Sequence, residues 1–252
     1  MDRLKDKVAI VTGSTSGIGT GIAKMFGAEG ARVVVCGRNE ERGAAVVDAI
    51  AEAGGTAWFH KLDITQPETV DALFADTKEH WGSIDVLVNN AQASASGVTL
   101  ADHTTDQFDL AIYSGLYATF YYMQACYPYL KETKGSVINF ASGAGLFGNF
   151  GQCAYAAAKE GIRGMSRVAA TEWGPDGINV NVVCPLAWTA ALENFQEAYP
   201  DAFTANVHMP PMGHYGNVET EIGRVVVQLA SPDFKFMSGE TLTLEGGMGQ
   251  RP

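Results

Sequence analysis

The strongest constraint on this chain lies near its start, where the apolar run Val8-Ala9-Ile10-Val11 breaks without a spacer into Thr12-Gly13-Ser14-Thr15-Ser16-Gly17-Ile18-Gly19. A short β-branched run with no polar alternation reads as a strand covered on both faces, as in a parallel sheet between helix layers. Three glycines between that strand and the helical pattern after it let backbone approach a ligand closely at a helix N-terminus. The rhythm then repeats. Strands are predicted at 31–36, 56–62, 84–89, 136–141, 178–183 and 240–244, and helices at 17–29, 40–53, 67–80, 105–131, 152–173 and 217–230. Such alternation predicts an α/β fold, a doubly wound parallel sheet with right-handed crossovers and helices on both faces. No internal repeat or Pro/Gly/Ser-rich linker interrupts it, so residues 1–252 read as a single domain. One irregular stretch, 185–216, carries Pro185, Pro200, Pro210 and Pro211 and reads as a binding loop or lid.

Composition narrows the function classes. Seventeen basic against 28 acidic residues give a net charge of −11, a field that repels phosphate backbones and anionic headgroups, so no nucleic-acid or membrane-surface partner is expected. The four cysteines are scattered without a CxxC pair and the five histidines lack ligand spacing, which predicts neither a disulfide framework nor a metal site. The amino terminus is charged from Asp2 and lacks the apolar core of a secretory signal, which points to a reducing cytoplasm. Leu110 to Leu130 runs 21 residues without a charge, the length of a bilayer span. Its six tyrosines, with Ser114, Gly115, Gln124 and Pro128, speak against hydrocarbon, where each phenol would need a partner. Tyr113, Tyr117 and Tyr121 instead form one helical stripe suited to burial between subunits.

The glycine loop in its strand-to-helix setting predicts a nucleotide-binding turn, with a GxxxGxG spacing instead of GxGxxG. Thr-Gly-x-x-x-Gly-Ile-Gly in this position resembles the short-chain dehydrogenase/reductase family, and the resemblance runs from Lys5 to Met248. It implies a Rossmann fold with seven strands in the order 3-2-1-4-5-6-7. It also implies a nicotinamide dinucleotide held by Gly13, Ser14, Ser16, Gly17, Ile18 and Gly19, by Asn39, Asp63, Ile64, Asn90 and Ala91, and by Pro185 and Thr189 beyond the sixth strand. At the end of the second strand an acidic residue would accept from a ribose 2′-hydroxyl, whereas an arginine accommodates a 2′-phosphate. Here Gly37 stands where the acid would be and Arg38 follows it, so NADP(H) is expected over NAD(H). Asp63 suits the adenine amino group and equally suits the cap of the next helix.

Tyr155-Ala156-Ala157-Ala158-Lys159 lies on a predicted helix, thirteen residues after Ser142 at a strand end. Tyrosine and lysine at i and i+4 share a helix face, so the ammonium can favour the ionised phenol. The reading is an alcohol–ketone interconversion: Tyr155 as acid/base, Lys159 and the nicotinamide charge lowering its pKa, Ser142 hydrogen-bonding the substrate oxygen, and hydride passing to or from the cofactor.

The chain departs from the family pattern at three places. Gln92 follows Asn89-Asn90-Ala91 where glycine is usual; Gly115 stands where many relatives carry a relay asparagine; Leu186 follows Pro185 where glycine is usual. Gly115 leaves the proton path to other waters, to Ser114 or to a distortion of the helix. Gln92, Gln152, Leu186 and Trp188 are the candidate substrate residues. The aromatic and sulfur side chains of 185–216 suggest a bulky apolar substrate, a hydroxysteroid or bile acid. The resemblance also implies a homotetramer, with one interface along the tyrosine-striped helix and the Tyr155 helix and another along 238–248. The alternatives are a 3-oxoacyl or small-carbonyl reductase of the same family, and a non-catalytic NADP-binding sensor.

Overall fold

The structure, a computed structural model, describes residues 2–64, 66 and 69–249. In chain order the elements are β1 (Val8–Val11), α1 (Gly17–Ala28), β2 (Arg32–Gly37), α2 (Glu40–Glu52), β3 (Thr56–Lys61), α3 (Val70–Trp81) and β4 (Val86–Asn89). Next come α4 (Thr105–Ala111), a π-helical turn (Ile112–Tyr117), α5 (Ala118–Thr133), β5 (Ser136–Phe140), α6 (Gly143–Phe147), α7 (Cys153–Trp173) and β6 (Asn179–Pro185). The chain closes with α8 (Ala190–Ala198), α9 (Pro200–Asn206), a second π-helical turn (Val218–Gly223), α10 (Arg224–Ala230) and β7 (Thr241–Leu244). The seven strands are all parallel in the order β3-β2-β1-β4-β5-β6-β7, as the resemblance implies.

The two-residue period of a strand divides the core between two faces. Ala9, Val11, Val33 and Val35 pack with Ile22 and Phe26 of α1 and Val226 and Leu229 of α10. Ile10 and Val34 point the other way, to Leu73 and Phe74 of α3 and Tyr122, Cys126 and Leu130 of α5. All four β1 residues are fully buried, which is why that run contains no polar residue.

Three expectations need correction. The long helix predicted at 105–131 is not continuous α-helix: a capping box of Thr104 and Gln107 starts α4, but one π turn around Gly115 separates it from α5. Such turns are uncommon and concentrate at functional sites. The stretch 185–216 is not irregular throughout. Thr189 caps α8 through the Leu192 amide (3.4 Å), and Pro200 opens α9 at its first turn, where its missing N–H costs nothing. The short helix α6, capped by Ser142, has no counterpart among the predicted elements. The predicted helix 67–80 appears as α3, with 67 and 68 outside the described residues. Among the described residues no helix is long and apolar enough to cross a membrane. The tyrosine stripe is present and faces outward: Tyr113 and Tyr117 stack at 5.1 Å, and Tyr113 is 55% exposed.

Candidate active site

The loop after β1 is fixed by its own side chains. Ser14 Oγ donates to the Val11 carbonyl (2.7 Å) and accepts from the Cys36 amide (2.9 Å), tying the loop to β2. Thr12 Oγ1 accepts from the Asn90 and Ala91 amides (3.0 and 3.2 Å), and Asn90 Nδ2 donates back to the Thr12 carbonyl (3.0 Å). Gly13 adopts φ +65°, and a Cβ there would fall 2.9 Å from that of Ala91, so only glycine fits. The result is a cavity of 310 Å³ lined by Gly13, Thr15, Ser16, Gly37, Arg38, Asp63, Ile64, Asn90, Ala91 and Gln92, among others.

This cradle suits a dinucleotide. It lies at the start of α1, glycine backbone forms its wall, and the exposed Arg38 stands at its rim without an ion pair among the described residues. A Cβ on Gly37 would meet Thr15 Cγ2 at 2.5 Å, so an acidic side chain at this position would have to displace Thr15. Three predicted cofactor residues are engaged elsewhere. Ser14 is fully buried, Gly19 is buried inside α1, and Asn39 Oδ1 caps α2 by accepting from the Arg42 amide (2.8 Å). Thr15 lines the cavity without being a predicted cofactor residue, and Ser114, expected only as an alternative on the proton path, lines it too; nothing local in the sequence marks either as a cofactor neighbour.

A second cavity, 260 Å³, continues from the first through Ser16, Asn90 and Gln92 and is lined by Gly17, Ile18, Phe140, Tyr155, Lys159, Pro185 and Thr189. Tyr155 and Lys159 stand one turn apart on α7, with the ammonium 5.4 Å from the phenol ring centroid. Lys159 is buried, and its Nζ donates to the Phe140 carbonyl (2.7 Å) at the end of β5. Burial pushes this lysine down to about 7, since dehydration penalises its charged form, while Cys184 on β6 acts the other way. Burial likewise raises the Tyr155 phenol; a hydrogen bond with Ser142 opposes this, and Cys184 adds a smaller upward push. The net direction at Tyr155 is therefore upward, opposite to the expected lowering: the phenolate is dehydrated, and the same burial drives Lys159 towards neutrality. Ser142 caps α6, accepting from the Ala144 amide (3.1 Å).

The substrate candidates divide. Gln92 lies between the two cavities. Gln152 precedes the first turn of α7 without a capping side-chain hydrogen bond and accepts from Ser96 Oγ (3.2 Å), while a bridge from Val98 to Gln152 ties the 93–98 loop to the same point. Trp188 stacks edge-on against Tyr215 (5.3 Å) and Phe203 (6.3 Å), with Phe195 6.2 Å from Phe203. Leu186 instead lines a larger cavity of 510 Å³ at the ends of β6 and β7. That cavity contains neither Tyr155 nor Lys159, so its size does not mark the chemistry. No cluster of potential metal ligands occurs among the described residues.

A family model described as enoyl-(acyl carrier protein) reductase matches residues 13–249. The chain is 61% identical over 260 residues to a 12α-hydroxysteroid dehydrogenase of Clostridium sp., covering 98% of each chain. It is 38% identical over 185 residues to a 3β-hydroxysteroid dehydrogenase of Mediterraneibacter gnavus, covering 73% of this chain and 67% of that one. A solved structure from Burkholderia xenovorans, described as a short-chain dehydrogenase/reductase, superposes with a TM-score of 0.93 at 29% identity over the full length of both chains.

Proposed function

The chain belongs to the short-chain dehydrogenase/reductase family, and on that premise we propose that it interconverts the 12α-hydroxyl and 12-ketone of a steroid using NADP(H), with Tyr155, Lys159 and Ser142 as the reacting groups. It is an oxidoreductase of secondary alcohols and ketones that uses a nicotinamide cofactor and a small-molecule substrate. The observation that carries the proposal is the joining of Tyr155 and Lys159 to the glycine loop in one cavity.

The cofactor supplies or accepts the hydride. In ketone reduction Tyr155 Oη donates its proton to the carbonyl oxygen; in alcohol oxidation the phenolate takes that proton back. Ser142 Oγ donates to the same oxygen and stabilises the charge that develops there. Lys159, anchored on the Phe140 carbonyl 5.4 Å from the Tyr155 ring centroid, favours the ionised phenol whenever it carries its proton. NADP(H) is favoured because an acid at 37 would have to displace Thr15, while Arg38 stands free to pair with a 2′-phosphate. The steroid reading rests on the full-length similarity to the Clostridium enzyme, and the aromatic cluster of Trp188, Phe195 and Phe203 that follows Pro185 supports a rigid, bulky substrate. The exposed stripe of Tyr113, Tyr117 and Phe120 supports a homotetramer packed through this helix. The four cysteines form no disulfide among the described residues, and three are buried, which fits a reducing cytoplasm.

The test follows reduced-nicotinamide absorbance as the purified protein meets NADP+ or NAD+ with steroids hydroxylated at different carbons. Turnover confined to a 12α-hydroxysteroid with NADP+ is expected. A preference for NAD+ would overturn the cofactor reading, and turnover of small alcohols alone would overturn the substrate.

A further inference from the structure

Ser142 stands at the head of α6, a helix of five residues of which only Ala144 is buried. A helix so short has little stability of its own and takes its place from what packs on it. Two of its residues are glycines, Gly143 and Gly145, and neither has the positive φ that would call for glycine. What excludes a side chain at each is a glutamate. A Cβ built on Gly143 would overlap Oε1 of Glu245, and one on Gly145 would fall 2.7 Å from Oε1 of Glu160.

Both glutamates are fastened to β7. Glu245 follows the last residue of that strand and is 7% exposed. Beyond it Gly246 (φ +56°) and Gly247 (φ +93°) turn the chain back, and the Met248 amide donates to the Glu245 carbonyl (3.0 Å). Gly249 then closes over the side chain, where a Cβ would overlap Oε2. The Glu245 carboxyl is thus enclosed between Gly249 and Gly143. Glu160 reaches β7 through Arg163: its Oε2 accepts from Arg163 Nη1 (2.6 Å), and Arg163 Nε donates to Thr241 Oγ1 (3.4 Å) at the start of the strand. The two ends of β7 therefore brace the turn that carries Ser142.

We propose that Glu245 is a positioning residue for Ser142: its carboxyl, seated where a side chain on Gly143 would lie, fixes the first turn of α6 so that the serine hydroxyl keeps its proton directed at the substrate oxygen. Ser142 Oγ accepts from the Ala144 amide (3.1 Å), which leaves its one proton for that oxygen. Gly143 joins the two residues of this hydrogen bond, so the bond keeps its geometry only while Gly143 stays where Glu245 holds it. A displacement of about 1 Å at a reacting group can cost about 100-fold in rate. Glu245 lines the 510 Å³ cavity and not the one that holds Tyr155 and Lys159, so its influence passes through the α6 backbone. The proposal rests on the reading of Ser142 as the group that stabilises charge on the substrate oxygen.

The test uses Glu245→Asp, which draws the carboxyl back by one methylene, Glu245→Gln, which keeps its length, and Gly143→Ala. Glu245→Asp should lower kcat about tenfold with KM for the cofactor little changed. Deuterium uptake by a peptide covering 142–147 should quicken about tenfold in the same variant. Glu245→Gln, close to the original in shape, should retain at least about a third of wild-type kcat. In a Ser142→Ala background Glu245→Asp should lower kcat less than about twofold, because the group it positions is gone, whereas a merely structural role would give the same loss in both backgrounds. Gly143→Ala alone drives the carboxyl aside and should lower kcat, and adding Glu245→Asp should recover most of it, since the methyl enters the vacated space. An unmoved kcat in Glu245→Asp, or equal losses with and without Ser142, would overturn the proposal. Faster exchange in Glu245→Asp beside full turnover in Ser142→Ala would leave Glu245 holding the turn and overturn instead the reading of Ser142 as a reacting group.

Discussion

The two sides of the candidate site are built differently. On the cofactor side the walls are backbone, and the side chains behind them face inward: Ser14 bridges β1 and β2, Thr12 and Asn90 clasp one another, and Asn39 caps α2. On the proposed substrate side stands an aromatic cluster of Trp188, Phe195, Phe203 and Tyr215 beyond β6, with Trp188 40% exposed and Tyr199 59% exposed. The first surface is fixed before any ligand arrives; the second is set by side chains that a substrate can rearrange. A scaffold of this kind keeps one chemistry while the substrate changes, because the substrate wall can be replaced without touching the cradle.

Four substitutions sharpen or break that contrast, from the largest effect to the smallest. Lys159→Met should lower turnover about 100-fold and, because it removes a buried charge, raise the melting temperature near pH 6. The sign follows from burial. With Lys159 near 7 in the folded protein and near 10.5 unfolded, its penalty is complete below about pH 7 and fades as pH rises towards 10.5, so the gain should shrink over that window. A gain that grew with pH would contradict it. Arg38→Ala should cut kcat/KM for NADP+ by ten- to a hundredfold, the size of a lost charge-assisted pair, and leave NAD+ within about twofold. Equal losses for both cofactors would make Arg38 structural. Trp188→Ala should raise KM for the steroid by about tenfold, with kcat for a small secondary alcohol unchanged. Ser14→Ala should leave the Kd for NADPH, read by fluorescence titration, within about twofold while costing about 1–2 kcal/mol of stability, because the buried Cys36 amide loses its acceptor. A large loss of affinity would show that Ser14 meets the cofactor directly.

Legibility in the sequence follows the same division. The sheet can be read because strand patterns such as the unbroken apolar run Val8–Val11 alternate with helical ones, and its order follows from the family resemblance, whose glycine loop and Tyr155–Lys159 spacing each depend on residues close in the chain. What the sequence hides depends on distant neighbours. The Ser14 hydroxyl looks available until β2 places the Cys36 amide 2.9 Å away, and room at Gly37 depends on Thr15. The Gln92 carboxamide fills the space a Cβ on Gly115 would take, joining residues 23 positions apart through a π turn that helix periodicity cannot signal. Helices α8 and α9 have local signals in Thr189 and Pro200, but each is about two turns, too short for a periodic pattern to emerge. The direction of the Tyr155 shift is hidden for a related reason: spacing shows which charge is near, whereas burial, a property of the whole fold, is the largest cause and raises the phenol.

The account stands or falls on Tyr155. Tyr155→Phe removes one oxygen and keeps the ring, so the decisive measurement is steroid-dependent NADP+ reduction by this variant beside its NADPH affinity. The account predicts turnover down at least about 1,000-fold with the Kd for NADPH within about threefold of wild type. Turnover within tenfold of wild type, with the cofactor still bound, would contradict it.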